Sequence, residues 1–199
     1  MFKTTKIILL LAAFTLAIGC KESVEGSADS SLATGAPELS MDTNTALNTG
    51  AVATFNNQQD QDNDDLLFMW EEEKMARDVY TKMFEKYGAA IFSNIKQSES
   101  KHMDAVKKLL DQRKIATPID GTQIGNFKNV QIAQMYAELM AEGNVSLNDA
   151  YQVGLKIEMV DIEDLAKRIS NTKDPAIINV YMNLLKGSEN HKASFESKL

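Results

Sequence analysis

Apolar residues recur every three to four positions through four long stretches and one short one, and no stretch alternates with period two over a strand length. The first stretch opens after Asp64-Asp65, residues suited to cap a helix, and runs to about Tyr87, with Trp70, Tyr80, Phe84 and Tyr87 on one stripe and Gly88 ending it. The second extends from Ala89 to Arg113 through Phe92, Ile95, Val106 and Leu109. A loop rich in turn residues follows, with Thr117-Pro118, Asp120-Gly121 and Gly125-Asn126. It leads to a shorter helix from Val130 to Glu142, stopped by Gly143. Ser146 opens a third long helix through Tyr151, Ile157, Ile162 and Leu165 to about Ser170. Asp174-Pro175 starts the fourth, with proline at the first helical position and a stripe of Ile177, Tyr181, Leu184 and Phe195. The pattern predicts an all-α protein: a four-helix bundle whose two halves are joined by a long crossover containing a short extra helix.

The first 63 residues read differently. Lys3 and Lys6 precede an apolar run from Ile7 to Gly19, too short to span a bilayer and flanked as a secretory signal is. Cys20, the single cysteine, follows directly. This arrangement resembles the bacterial lipoprotein processing site, where the thiol receives a lipid; Leu16 stands four before the cysteine, where that site prefers leucine three before. The other reading is an ordinary cleaved signal with an incidental cysteine. From Lys21 to about Asn63 the residues are mostly Ser, Thr, Ala, Asn, Gly, Gln and Asp, with Phe55 the one aromatic, a composition that buries too little apolar surface to order itself. The expected organisation is a signal over 1–19, a lipidated Cys20 and disordered tether over 20–63, and a helical domain over 64–199, held at the membrane face of the cell envelope.

Composition narrows the chemistry. A net charge of −7 argues against a nucleic-acid partner, since phosphate binding requires a basic patch. Acidity fits a cation-binding protein and a solvated surface equally. With Cys20 committed to the N-terminus, the domain has no thiol for disulfides, cysteine–zinc sites or nucleophilic catalysis.

The candidate site lies among inward-facing acids and the protein's two histidines. Glu99 and His102, three apart, leave one face of the second helix, the face carrying Ile95 and Val106. Glu-x-x-His is a unit with which helical bundles hold metal. In the run Glu71-Glu72-Glu73, Glu73 falls on the stripe of Trp70, Ala76 and Tyr80, while Glu72 aligns with Phe68 and Val79 at the flank. Glu158 and Asp161 line up with Tyr151, Gly154 and Leu165, whereas Glu163 and Asp164 lie off that line and read as surface charges. His191 follows Leu184 by seven and precedes Phe195 by four. Taken alone it reads as a core histidine. Both imidazoles and several carboxylates converging on one interior change that reading: unneutralised, the acids would repel one another and be driven neutral, and a dinuclear metal centre removes the difficulty.

Glu73-x-x-Ala76-Arg77-x-x-Tyr80, Glu99-x-x-His102, Glu158-x-x-Asp161 and His191-x-x-x-Phe195 resemble the ferritin-like di-iron carboxylate proteins, rubrerythrin above all. Residues 72–80, Glu-Glu-Lys-Met-Ala-Arg-Asp-Val-Tyr, with Gly187-Ser188-Glu189-Asn190-His191, are similar to a bacterial and archaeal family of ferritin-like domains without assigned function. The resemblance implies a ferritin-like four-helix bundle over about 64–199 and iron ligands at Glu73, Glu99, His102, Glu158, Asp161 and His191. Rubrerythrin-like proteins carry Glu three before the last His, where this chain has Ser188, a poor ligand at neutral pH; Glu189 is one residue out of phase. The rubredoxin-type cysteine cluster is missing, so electrons would come from another protein.

Carboxylates and imidazoles suit two ions of iron, or manganese in their place. Glu99 and Glu158 would bridge or chelate, with His102 and His191 capping one ion each. Tyr80, Tyr151, Tyr181 and Ser188 are candidate supporting donors, although aromatic residues on such stripes are usually core. The ten methionines form no ligand pairs and read as core filling. Three functions are consistent with this: an envelope-anchored oxidoreductase that oxidises Fe²⁺ or reduces O₂ or H₂O₂, a non-catalytic metal-binding module, and a metal-free helical interaction module. A homodimer is left open by the pattern.

Overall fold

The computed structural model describes residues 46–199. The expected signal, Cys20 and the tether up to residue 45 lie outside the described residues. Five helices are present and no strand among the described residues: α1 (Ala46–Tyr87), α2 (Ala90–Gln112), α3 (Val130–Gly143), α4 (Leu147–Asn171) and α5 (Pro175–Glu196). The class and the element order expected from the pattern hold, and the caps of α4 and α5 act as read. Ser146 Oγ accepts from Asp149 N at 3.1 Å, and Asp174 Oδ1 accepts from Ala176 N at 2.8 Å ahead of Pro175. Gly88, at φ 66°, ends α1 in the left-handed region that side chains disfavour.

The start of α1 differs. It begins at Ala46, not Asp64, so residues 46–63, read as tether, continue the first helix. Polar contacts rather than apolar burial hold the last part of this extension. Gln58 Nε2 donates to Asp62 Oδ1 at 3.0 Å and to the Asn171 carbonyl at 3.2 Å, and Arg113 Nη1 donates to Asn63 Oδ1 at 3.0 Å. Asp65, expected as a cap, instead accepts from Gln61 one turn earlier and pairs with Arg168 of α4.

α1 packs against α2 and α4, and α5 against the same two helices, leaving α1/α5 and α2/α4 as the diagonals. Asp65 meets Arg168 and, further along α1, Tyr80 meets Gly154, so α1 and α4 are antiparallel. The Arg113–Asp174 pair at one end and His102 against Gly187 further along show the same for α2 and α5. The crossover brings α3 onto the groove between α1 and α4.

Burial divides the interior into three layers. One apolar cluster includes Val79, Met83, Phe92, Val153 and Phe195; the other includes Leu66, Trp70, Val106, Leu165 and Tyr181. On every long helix the residues between these clusters are polar: 71–74 on α1, Glu99 and His102 on α2, Glu158 and Asp161 on α4, Ser188 and His191 on α5. The site is a polar layer closed at both ends by apolar plugs.

Candidate metal centre

Glu99 is the hub. Its Oε2 stands 2.8 Å from His102 Nδ1 and its Oε1 2.9 Å from His191 Nδ1. Glu73 Oε2, from α1, lies 3.2 Å from the same His102 nitrogen, and Glu158 Oε2, from α4, 3.4 Å from His191 Nδ1. Two three-residue groups result, Glu73–Glu99–His102 and Glu99–Glu158–His191, each with one ligand atom per residue within 4.8 Å of the others. The imidazoles lie side by side, their centroids 5.7 Å apart and their planes inclined by 27°.

These atoms converge but only partly satisfy one another: Glu73 Oε2 and His102 Nδ1 are in hydrogen-bond geometry at 3.2 Å, and others are not. His191 Nδ1 and Glu99 Oε1 are close, yet neither has a partner in hydrogen-bond geometry, and Glu73 Oε1 has none. Buried polar atoms are normally paired. The unpartnered ligand atoms, Glu73 Oε1, Glu99 Oε1 and His191 Nδ1, fit a cation held among them.

The electrostatics follow from burial. Desolvation works against a charge on Glu99, but the two imidazoles outweigh it and hold its carboxyl at about 2. Burial pulls His102 down, and Glu73 and Glu99 more than compensate, raising it to about 11; His191, between Glu158 and Glu99, rises to about 9. Glu158 is pushed up to about 8 by burial and by the neighbouring Glu99 charge. Glu73 is raised well above the carboxylate range by burial and then by Asp161. Without metal, protons on the imidazoles and on some of the acids neutralise the layer.

Supporting residues complete the layer. Tyr80 OH donates to Glu158 Oε1 at 2.5 Å and lies 3.3 Å from the Gly154 carbonyl, leaving Glu158 Oε2 towards His191. Burial, then the Glu158 charge, keeps this phenol protonated. Ser188 Oγ donates to Asp161 Oδ2 and lies 3.1 Å from the Leu184 carbonyl. Asp161 is thus beside the centre but in neither three-residue group, and its Oδ1 has no partner. Glu189 faces solvent. Tyr151 stacks on Phe92 at 5.6 Å, and Tyr181 sits in the far apolar cluster; neither phenol bonds a centre residue. The tyrosines therefore divide: Tyr80 supports the centre, and Tyr151 and Tyr181 pack away from it.

The run Glu71–Lys74 is buried throughout, which the flank reading of Glu72 misses. Glu71 Oε2 accepts from the backbone N–H groups of Lys128 and Asn129 at 2.7 and 3.1 Å, fixing the start of α3. Lys74 Nζ donates to Asp78 Oδ2 and to the Gln123 carbonyl, both at 2.6 Å, and Arg77 joins Asp78 to the Gly121 carbonyl. Asp164, read as a surface charge, is half-buried and faces Glu72. Gly187, part of the motif before His191, has a packing role that its place in that motif does not reveal: a Cβ there would stand 2.7 Å from His102 Nε2. Its one sequence signal is a glycine inside a helix, which costs stability and so asks for a reason.

Fold and site define an all-α bundle with a buried carboxylate–imidazole centre between two apolar plugs. Residues 62–199 match the model of a family described as "Uncharacterized protein domain (DUF2202)", and the chain belongs to that family. It is similar to the uncharacterized protein MJ0754 of Methanocaldococcus jannaschii, 44% identical over 136 residues that cover 68% of this chain and 74% of that protein. A crystal structure of the hypothetical protein MJ0754 from Methanococcus jannaschii aligns with a TM-score of 0.66 at 45% identity, over 67% of this chain and 76% of that one.

Proposed function

We propose that the chain is a ferritin-like di-iron or di-manganese carboxylate protein that oxidises Fe²⁺ or reduces peroxide or O₂ at a dinuclear centre. The observation that carries this reading is Glu99, one carboxylate placed between two imidazoles, each of which has a further carboxylate of its own. Glu73 and His102 would hold one ion and Glu158 and His191 the other, with Glu99 shared. The donor set of carboxylate oxygen and imidazole nitrogen, without sulfur, favours iron or manganese. When bound there, two ferrous ions would supply the two electrons that, with two protons, are needed to reduce one peroxide to two waters.

The chain's residues perform the remaining tasks. The apolar plugs close the polar layer at its two ends, and Tyr80 fixes which oxygen of Glu158 turns inward. Asp161, beside the centre and in neither three-residue group, is raised by burial to about 7 in the metal-free chain and is the acid placed to carry a proton near neutrality. Cys20 after an apolar leader supports a lipid anchor on the envelope, with a separate protein as electron donor. One observation favours a binder over a catalyst: Ser188 stands where a second Glu-x-x-His unit would supply a carboxylate.

Anaerobic loading of the full chain, followed by addition of H₂O₂, tests the reading. The expected result is two tightly held ions and oxidation faster than that of free Fe²⁺, both lost in the His102→Ala/His191→Ala variant. Ions held without faster oxidation would leave the binder. Equal metal content in the wild type and the folded double variant would refute the centre.

A further inference from the structure

The residues of the centre are not equally shielded. Glu73, Glu99 and Glu158 are each 2% exposed, Asp161 6% and Ser188 not at all. The side chains of His102 and His191, by contrast, keep 12% and 11% of their surface open. Elsewhere the polar layer is shut. α3 lies over the groove between α1 and α4, and Glu71 fastens its start there by accepting from the N–H groups of Lys128 and Asn129. Gly121 of the crossover packs on the Trp70 ring, where a Cβ would come within 3.0 Å. The apolar clusters close the two ends. What stays open is the seam between α2 and α5, where the two imidazoles stand.

Small residues keep that seam thin. Each imidazole has one a turn before it and another a turn after: Ser98 and Ala105 around His102, Gly187 and Ser194 around His191. Side chains three and four apart on a helix lie against each other, so bulkier ones at these positions would cover the rings. Ser98, Ala105 and Gly187 are only half-buried. His102 rests on Gly187 so closely that a Cβ there would stand 2.7 Å from Nε2 and 2.8 Å from Cε1. A groove of about 510 Å³ between the start of α2 and the end of α5, lined in part by Asn94, Ile95 and Ser194, carries the seam on to bulk solvent. On the inner side, Nδ1 of each ring faces Glu99. The imidazoles thus stand between the solvent and the carboxylates.

We infer that the α2–α5 seam is the entrance to the centre and that Ser98, Ala105 and Gly187 set its width, so that it passes metal ions and H₂O₂ and turns away substituted hydroperoxides. The inference rests on the metal-binding reading of the centre. Rings that are about a tenth open are within reach of water and of species little larger. H₂O₂ is water with one more oxygen, whereas tert-butyl hydroperoxide carries a branched carbon head. An entrance acts on rates alone. Narrowing it slows arrival and departure by the same factor and leaves equilibrium affinity as it was, because no ligand atom has moved.

The test follows Mn²⁺ uptake by the metal-free full chain in stopped flow, and release by capture with excess chelator. Ser98→Leu and Ala105→Leu narrow the seam on either side of His102, and Gln152→Leu, on an exposed face of α4, is the control. In both seam variants uptake and release should slow equally, by about tenfold, at the low end of the range over which on-rates vary among variants. Ion count and affinity should match those of the wild type and the control. In the wild type loaded with Fe²⁺, H₂O₂ should outpace tert-butyl hydroperoxide by about a hundredfold beyond their ratio towards free Fe²⁺, since one misfitting methylene already costs about 10–200-fold. If both seam variants exchange Mn²⁺ at the wild-type rate, or if the bulky hydroperoxide keeps its free-ion ratio, the entrance is overturned and the centre stands. Lower affinity with unchanged uptake would also overturn it, by making these residues supports of the ligands. Slowed exchange with no reaction towards either peroxide upholds the entrance and leaves the centre a binder. If the wild type takes up no Mn²⁺, the centre fails and the entrance with it.

Discussion

Replacing Gly187 by alanine tests the centre through its packing rather than through its ligands. The added Cβ would lie 2.7 Å from His102 Nε2 and 2.8 Å from Cε1, and ordinary contact begins at 3.4 Å, so the ring must retreat by 3.4 − 2.7, or 0.7 Å. The adjoining ring nitrogen is committed, with Nδ1 at 2.8 Å from Glu99 and 3.2 Å from Glu73. Metal–ligand distances tolerate only about 0.2 Å, so this displacement takes His102 out of range for the ion it shares with Glu73 and Glu99. Stability should change less. Alanine in place of glycine favours the helix by about 1 kcal/mol, against an overpacking cost of about 1–3 kcal/mol, a net loss of at most about 2 kcal/mol. Calorimetric titration with Mn²⁺ should show one ion weakened roughly 10–100-fold, the range for a disturbed ligand support, while the ion on His191 keeps its affinity. Gly154→Ala is the control. Its Cβ would meet the Phe195 ring at 2.3 Å, so it should lower the melting temperature without singling out one ion. Full affinity for both ions and a raised melting temperature in Gly187→Ala would refute the placement of His102.

Three further outcomes follow from the same geometry. Because His102, His191, Glu158 and Asp161 all have raised values, the folded apoprotein binds more protons than the unfolded chain. Their contribution to apoprotein stability is complete below the unfolded carboxylate value of about 4, is lost as pH rises through about 7 to 9, and for His102 persists to about 11. The melting temperature of the metal-free protein should therefore fall between pH 5 and 9 while Mn²⁺ affinity rises; flat profiles would contradict the protonated imidazoles. Ser188→Ala strips Asp161 of its donor inside the bundle and should cost about 1–3 kcal/mol in urea unfolding, whereas an unchanged midpoint would mean that Asp161 finds another partner. Lys74→Met breaks a fully buried pair with Asp78 and releases the Gln123 carbonyl. It should destabilise by about 3 kcal/mol, at the low end for such pairs because Arg77 remains on Asp78, and it should speed proteolysis between Gly121 and Phe127; unaltered cleavage would show that the crossover is pinned elsewhere.

Helix period and capping were legible in the residues themselves. Ser146, Asp174-Pro175 and Gly88 marked three boundaries because cap chemistry is local. The stripes also told which way Glu73, Glu99, Glu158 and His191 turn, since position on a stripe fixes direction from the helix's own axis. Those four, with His102, are the residues the fold gathers. Harder to read was whatever depends on a second element. Glu72 lies at the edge of its own stripe, and only the packing of α1 against α4, with α3 laid over that groove, decides that this edge is interior. The last part of the α1 extension is likewise held by the Asn171 carbonyl and by Arg113, distant in sequence.

Gly187 and Ser188 show the same division. In the sequence they are a helix-weakening glycine and a serine where a ligand was expected. In the bundle the glycine makes room for the imidazole of α2, and the serine holds the aspartate of α4. The amino-acid pattern by itself determined four amphipathic rods, their ends and the faces that carry acid and imidazole. Tertiary packing decided which of those groups meet and which buried acid is left without a partner, because periodicity records direction about one axis, and distance between side chains exists only once two axes are placed together.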